Sequence, residues 1–141
     1  MKALVRTAWI TDLRENPDAQ GIGFLDYIDS KGKHRQCCLG RLCRLAVAAG
    51  VIPAPELHVR EYRYLDDDHS DYGKVTGERF HQACALPRKV AEWAGLPPGA
   101  DDIKLDSDED GSLLASEAND EAGMTFAEIA DLAERNVPVT E

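Results

Sequence analysis

The chain has 141 residues, 43% hydrophobic and 30% charged, with a formal net charge of −10. That length fits one domain around one core. A run of about 18 apolar residues, the minimum for a membrane span, is missing, and the acidic balance disfavours general nucleic-acid binding.

The opening Met1-Lys2-Ala3-Leu4-Val5-Arg6 meets charge too early to build a signal-peptide apolar region, so the expected location is the cytoplasm. Residues 3–15 read as the first helix. Val5, Trp9 and Leu13 repeat at i, i+4, i+8 with Ile10 beside them, which makes an apolar stripe. Asn16-Pro17 should stop it, because the residue before a proline is pushed out of the helical region.

Residues 21–38 read as a β-hairpin. Ile22, Phe24, Tyr27 and Ile28 favour extended chain, Asp29-Ser30-Lys31-Gly32-Lys33 is a turn, and His34 to Cys38 returns as the partner strand. Residues 39–49 form the second predicted helix. Leu39, Leu42, Cys43, Ala46 and Val47 share its buried face, Arg41 and Arg44 point away, and Gly50 sits where helices end in a left-handed residue.

Residues 52–84 stand apart as an insertion or flap whose pairing with the hairpin the sequence leaves open. Within it Leu57 to Leu65 alternates apolar and charged residues and reads as one strand, and Val75 to Ala83 as another. Pro87 is expected at the first position of a third helix, with Val90, Trp93 and Ala94 inward and Gly95 at its end. The last helix carries a capping box, Thr125-Phe126-Ala127-Glu128, with Met124 and Ile129 spaced as a hydrophobic staple. Phe126, Ile129, Ala130 and Ala133 should face the core, with Leu132 at its edge. The architecture expected is α+β: about four helices packed on a small antiparallel sheet in a single domain over residues 1–141.

Charge is unevenly spread. Lys31, Lys33, Arg35, Arg41, Arg44, Arg60 and Arg63 face only Glu56 and Glu61 across residues 31–63. Residues 101–121 hold Asp101, Asp102, Asp106, Asp108, Glu109, Asp110, Glu117, Asp120 and Glu121 against Lys104 alone.

Several motifs recur together: Trp9-x-x-x-Leu13, Gln20-Gly21-x-Gly23, Cys37-Cys38-Leu39-Gly40-x-Leu42-Cys43, Leu86-Pro87-x-x-Val90-x-x-Trp93-x-Gly95-Leu96, and Asn119-Asp120-x-x-Gly123-x-Thr125-Phe126-x-Glu128-Ile129-Ala130. Together they resemble a family of short bacteriophage open reading frames with no assigned role. The Cys-Cys-Leu-Gly element and the closing helix are the specific parts. The resemblance implies a phage gene product working in the host cytoplasm by binding a host component. It supplies no catalytic residues.

Four chemistries fit residues of the chain. Residues 106–117 match the twelve-residue calcium loop: Asp106, Asp108 and Asp110 would offer carboxylates, Gly111 the sharp turn, Ser112 a backbone carbonyl and Glu117 two closing oxygens. The bland reading of the same stretch is a solvated acidic loop. Arg35, Arg41 and Arg44 could converge on a small anionic ligand or nucleotide, since guanidinium forks match phosphate and carboxylate; alternatively they form an ordinary charged surface. His34-x-x-Cys37 and His81-x-x-Cys84 have zinc-compatible spacing, against thiols packed as small hydrophobes. Cys38 near a helix start could be an activated nucleophile with His69 or His81 as base, although nothing in the sequence pairs them.

The leading expectation is a non-enzymatic, phage-type accessory protein that binds a host protein through its acidic 101–121 surface. The alternatives are an anionic-ligand binder and a domain with a structural calcium ion.

Overall fold

The computed structural model describes residues 1–66, 81–106 and 113–140. Helix α1 (Ala3–Glu15) leads through a short 3-10 turn (Pro17–Ala19) to strands β1 (Asp26–Ile28) and β2 (His34–Gln36). Helix α2 (Cys38–Ala48) follows, then β3 (Glu56–His58), β4 (Glu61–Leu65) and β5 (His81–Gln82). The chain closes with helices α3 (Arg88–Trp93), α4 (Ala115–Asp120) and α5 (Phe126–Asn136). The strands pair antiparallel in the order β2-β1-β4-β3, and β5 pairs with the far end of β4. This is the α+β architecture expected, with the described part of 52–84 hydrogen-bonded into the same sheet as the first hairpin.

The helical stripe of α1 is buried as its spacing implies: Val5, Trp9, Ile10 and Leu13 all lie in the core. Full burial of side chains of this size contributes about 1.5–3 kcal/mol each. Trp9 also donates its indole N–H to the Cys38 carbonyl at 2.8 Å, so the ring is both packed and satisfied. Helix α5 begins as its capping box dictates. Thr125 Oγ1 accepts from Glu128 N at 3.2 Å, and Glu128 Oε1 accepts from Thr125 N at 3.1 Å. Phe126, Ile129, Ala130 and Ala133 are buried against α1. Arg6 of α1 donates to the Val137 and Ala133 carbonyls at 2.8 and 3.3 Å, which caps the open C-terminal end of α5.

Four departures from the sequence reading have physical causes. The first hairpin is shorter than 21–38, because residues 21–25 fold back over the sheet instead of extending it. Gly21 donates to Gln36 O at 2.8 Å, and a Cβ there would stand 2.6 Å from the Tyr27 hydroxyl oxygen and 2.7 Å from Arg35 Cβ. The strand expected over 57–65 is split into β3 and β4 by a two-residue turn at Val59-Arg60, with His58 paired to Glu61. Val59 holds φ at 60°, the left-handed region that a β-branched residue resists, so no turn residue announced it. Pro87 precedes α3 as its cap rather than occupying the first helical position. Helix α4 was not expected at all. Its N-cap, Leu114, has no capping side chain. The cap comes instead from Asp102, whose Oδ1 accepts from Ser116 N at 3.2 Å and whose Oδ2 accepts from the Ser116 hydroxyl.

Candidate functional site

The three arginines read as an anion site are distributed over two faces of the sheet. On β2, His34 and Gln36 point toward α2, while Arg35 points the opposite way because side chains alternate along a strand. Arg35 Nε donates to Asp29 Oδ2 at 3.0 Å and its NH1 donates to Asp18 O at 2.9 Å. Arg41 forks onto Asp12 at 2.7 and 2.8 Å and reaches Gln36 Oε1 at 2.8 Å. Arg44 pairs with Asp26 Oδ2 at 2.9 Å and contacts the His34 ring at 2.7 Å.

Arg41 and Arg44 thereby belong to one network built around Asp26, a fully buried carboxylate. Gln36 Nε2 donates to Asp26 Oδ1 at 3.2 Å, and the Tyr64 hydroxyl donates to Oδ2 at 2.8 Å. His34 Nε2 also contacts Oδ1. A buried carboxylate requires such partners, since an unpaired one would be prohibitively desolvated. Burial, reinforced by the Asp26 charge, pushes the Tyr64 phenol well above its ordinary range, so it stays a proton donor. The network ties α1, α2 and the sheet together. Its cations face carboxylates of the same chain, which leaves little charge to offer a ligand.

The 106–117 stretch is only partly described: Asp108, Asp110, Gly111 and Ser112 lie outside the described residues. The flanks are defined. Leu105 N donates to Leu113 O at 2.8 Å and Ala115 N donates to Ile103 O at 2.7 Å, so an antiparallel bridge at Lys104 and Leu114 closes the stretch. Extended chain, rather than the helix usual in calcium loops, enters it. Asp106 Oδ2 accepts from Leu113 N at 3.0 Å. Glu117 lies in the first turn of α4.

Cys37, Cys38 and Cys43 are buried free thiols, and Cys84 is exposed. Burial pushes the Cys37 thiol up to about 12 and raises Cys38 and Cys43 strongly as well. Desolvation therefore outweighs the helix start that would favour a Cys38 thiolate. His34 is engaged with Asp26 and Arg44, away from metal-ligand duty. Among the described residues no group of three or more His, Cys, Asp or Glu is arranged to hold a metal ion.

A groove of about 450 Å³ runs along the acidic segment. Met1, Leu96, Ile103, Val137 and Pro138 supply apolar lining, and Asp101, Asp102, Lys104 and Asp106 line it as well. The two chain ends build its far side: the Met1 amino group donates to Pro138 O at 2.8 Å, and Thr140 N donates to Met1 O at 3.1 Å. Asn136 Nδ2 holds the near side through Leu105 O at 2.8 Å. Asp102 is committed to capping α4, whereas Asp101 is exposed and Asp106 Oδ1 is a buried oxygen without a hydrogen-bond partner among the described residues. Sequence reasoning named the carboxylates but not the apolar walls, which come from positions near 1, 96, 103 and 137 that no local pattern connects.

Asn119 was also missed as a structural hub. Its Nδ2 donates to Gly21 O at 2.8 Å, and its Oδ1 accepts from Gln20 Nε2 at 3.0 Å and Cys38 N at 3.3 Å. Gln20 in turn accepts from Phe126 N at 3.0 Å. The available signal was that both residues stand inside the motifs Gln20-Gly21-x-Gly23 and Asn119-Asp120-x-x-Gly123.

Fold and site together define a small α+β domain with a compensated polar network around the buried Asp26, a groove lined by apolar and acidic residues, and three buried thiols. The chain belongs to the family described as Domain of unknown function (DUF8296), whose model matches residues 1–137. No curated protein and no solved structure matches it. No described helix is long and apolar enough to cross a membrane.

Proposed function

We propose that this protein is a non-enzymatic, phage-type accessory protein that captures a host protein through its acidic 101–121 face. The observation that carries this reading is the groove of about 450 Å³, lined by apolar residues and by Asp101, Asp102 and Asp106, of which Asp101 is exposed. Such a site suits an apolar side chain flanked by lysine or arginine on a partner. The apolar part gains burial, and the flanking cations meet carboxylates that steer the encounter and set the register. The cytoplasm of the host is the compartment this reading requires.

The test is capture of host proteins from a lysate at low and high salt, comparing the native chain with a charge-reversed variant, Asp101→Lys, Asp108→Lys, Asp110→Lys. A specific partner should be held at low salt, released at high salt and lost from the variant. A partner held equally by both chains would remove the acidic face from the interaction.

A further inference from the structure

A second hollow, of about 460 Å³, lies on the opposite side of the sheet from α2, between the β1–β2 turn and the β3–β4 turn. Phe24, Tyr27, Asp29, His58, Arg60 and Glu61 line it. We propose that this hollow binds a small aromatic anion, a planar ring carrying a phosphate or carboxylate, with the ring on Phe24 and Tyr27 and the anion on Arg60 and His58. The inference is independent of the acidic face.

The floor is aromatic. Phe24 and Tyr27 meet edge to face with centroids 5.9 Å apart, and Phe24 is among the exposed large hydrophobic residues at 39%. An exposed aromatic pair in a concavity offers a stacking surface that accepts any flat ring. The volume lies within the range of small-molecule sites.

The charges favour an anion. The two wall carboxylates are already compensated: Asp29 by Arg35 Nε at 3.0 Å and by the Lys31 and Lys33 amides at 2.9 Å each, Glu61 by Arg63 Nε at 3.2 Å. Arg60, by contrast, has no side-chain partner among the described residues. Among the described residues, His58 has a long side-chain contact with Glu56, at 3.5 Å. An arginine side chain lining the same hollow as two aromatic rings suits a phosphate or carboxylate carried on a ring.

The backbone adds a third observation. His58 and Arg60 flank Val59, which holds φ at 60° and is 95% exposed. A β-branched residue in this conformation with so little of its side chain buried is local strain, of the kind that accompanies ligand-holding turns. Here it fixes the two residues that would meet the anion.

The test is a titration followed by amide NMR shifts, with adenosine monophosphate, adenosine and inorganic phosphate as probes. The expected result is saturable shifts at Phe24, Tyr27, His58 and Arg60 with adenosine monophosphate, and weaker binding of adenosine and phosphate alone. Arg60→Gln, an exposed change that leaves the fold intact, should lower the affinity about tenfold. Three results would overturn the proposal: no shift at these residues at millimolar probe, undiminished binding by Arg60→Gln, or phosphate binding as tightly as the nucleotide.

Discussion

Arg41 of α2 grips Asp12 of α1 with two hydrogen bonds, Nε to Oδ2 at 2.7 Å and NH2 to Oδ1 at 2.8 Å. Both side chains are only 15% exposed, so the pair is screened little by water. Arg41→Ala should therefore destabilise the fold by about 2–4 kcal/mol, because Gln36 Oε1 loses its donor and Asp12 keeps only the Asn16 amide at 3.3 Å. Arg41→Lys should recover only part of this, since an ammonium cannot make the fork. Urea denaturation of the three chains decides it; an Arg41→Ala chain as stable as the native one would mean that the fork is not formed in solution.

Val59 predicts a gain. Glycine adopts positive φ without a Cβ penalty, and little side-chain burial is lost at 95% exposure. Val59→Gly should raise stability by about 0.5–1 kcal/mol, after the entropy of glycine is subtracted. Thermal melting reads the outcome. A lower melting temperature would indicate that the valine side chain is engaged.

The thiols separate by burial. A disulfide-exchange reagent should modify Cys84 in the native protein, and all four cysteines only after denaturation. Rapid native modification of Cys37, Cys38 or Cys43 would contradict their burial.

The same burial sets the alkaline limit. The folded Cys37 thiol sits at about 12 against an ordinary 9.0, with Cys38, Cys43 and Tyr64 also raised. A raised pKa means the folded state holds its proton more tightly. The stability it brings is fully present below pH 9.0 and is lost as pH climbs toward about 12. The urea midpoint should fall steeply through that window. Replacing Cys37 with Ala should make the fall shallower, and an unchanged slope would locate the alkaline sensitivity elsewhere.

The twelve-residue pattern at 106–117 predicts that millimolar calcium raises the melting temperature by mass action, and that Glu117→Gln removes the rise. A flat melting temperature in both chains leaves the stretch as a solvated acidic loop closed by the Lys104–Leu114 bridge.

The helices with strong apolar spacing or a local cap were legible in the sequence. Val5, Trp9 and Leu13 predicted the buried face of α1, and Thr125 with Glu128 marked where α5 starts, because those signals lie within a turn or two of the structure they cause. Helix α4 was not legible, since its cap is Asp102, fourteen residues before Ser116. The β3–β4 turn was hidden because a valine stands where a glycine would have signalled it.

Sites follow the same division. The acidic segment and the arginines could be named from composition and spacing. Whether those charges are available could not be. Strand alternation turns Arg35 away from Gln36, a buried Asp26 claims Arg44, and Asp12 claims Arg41. Arg60, one basic residue among seven in the sequence of 31–63, has no side-chain partner among the described residues and lines a hollow with Phe24 and Tyr27. Charge is a property of a residue, but its availability depends on which neighbours the fold brings within hydrogen-bond reach, and here those neighbours lie between 6 and 29 residues away along the chain.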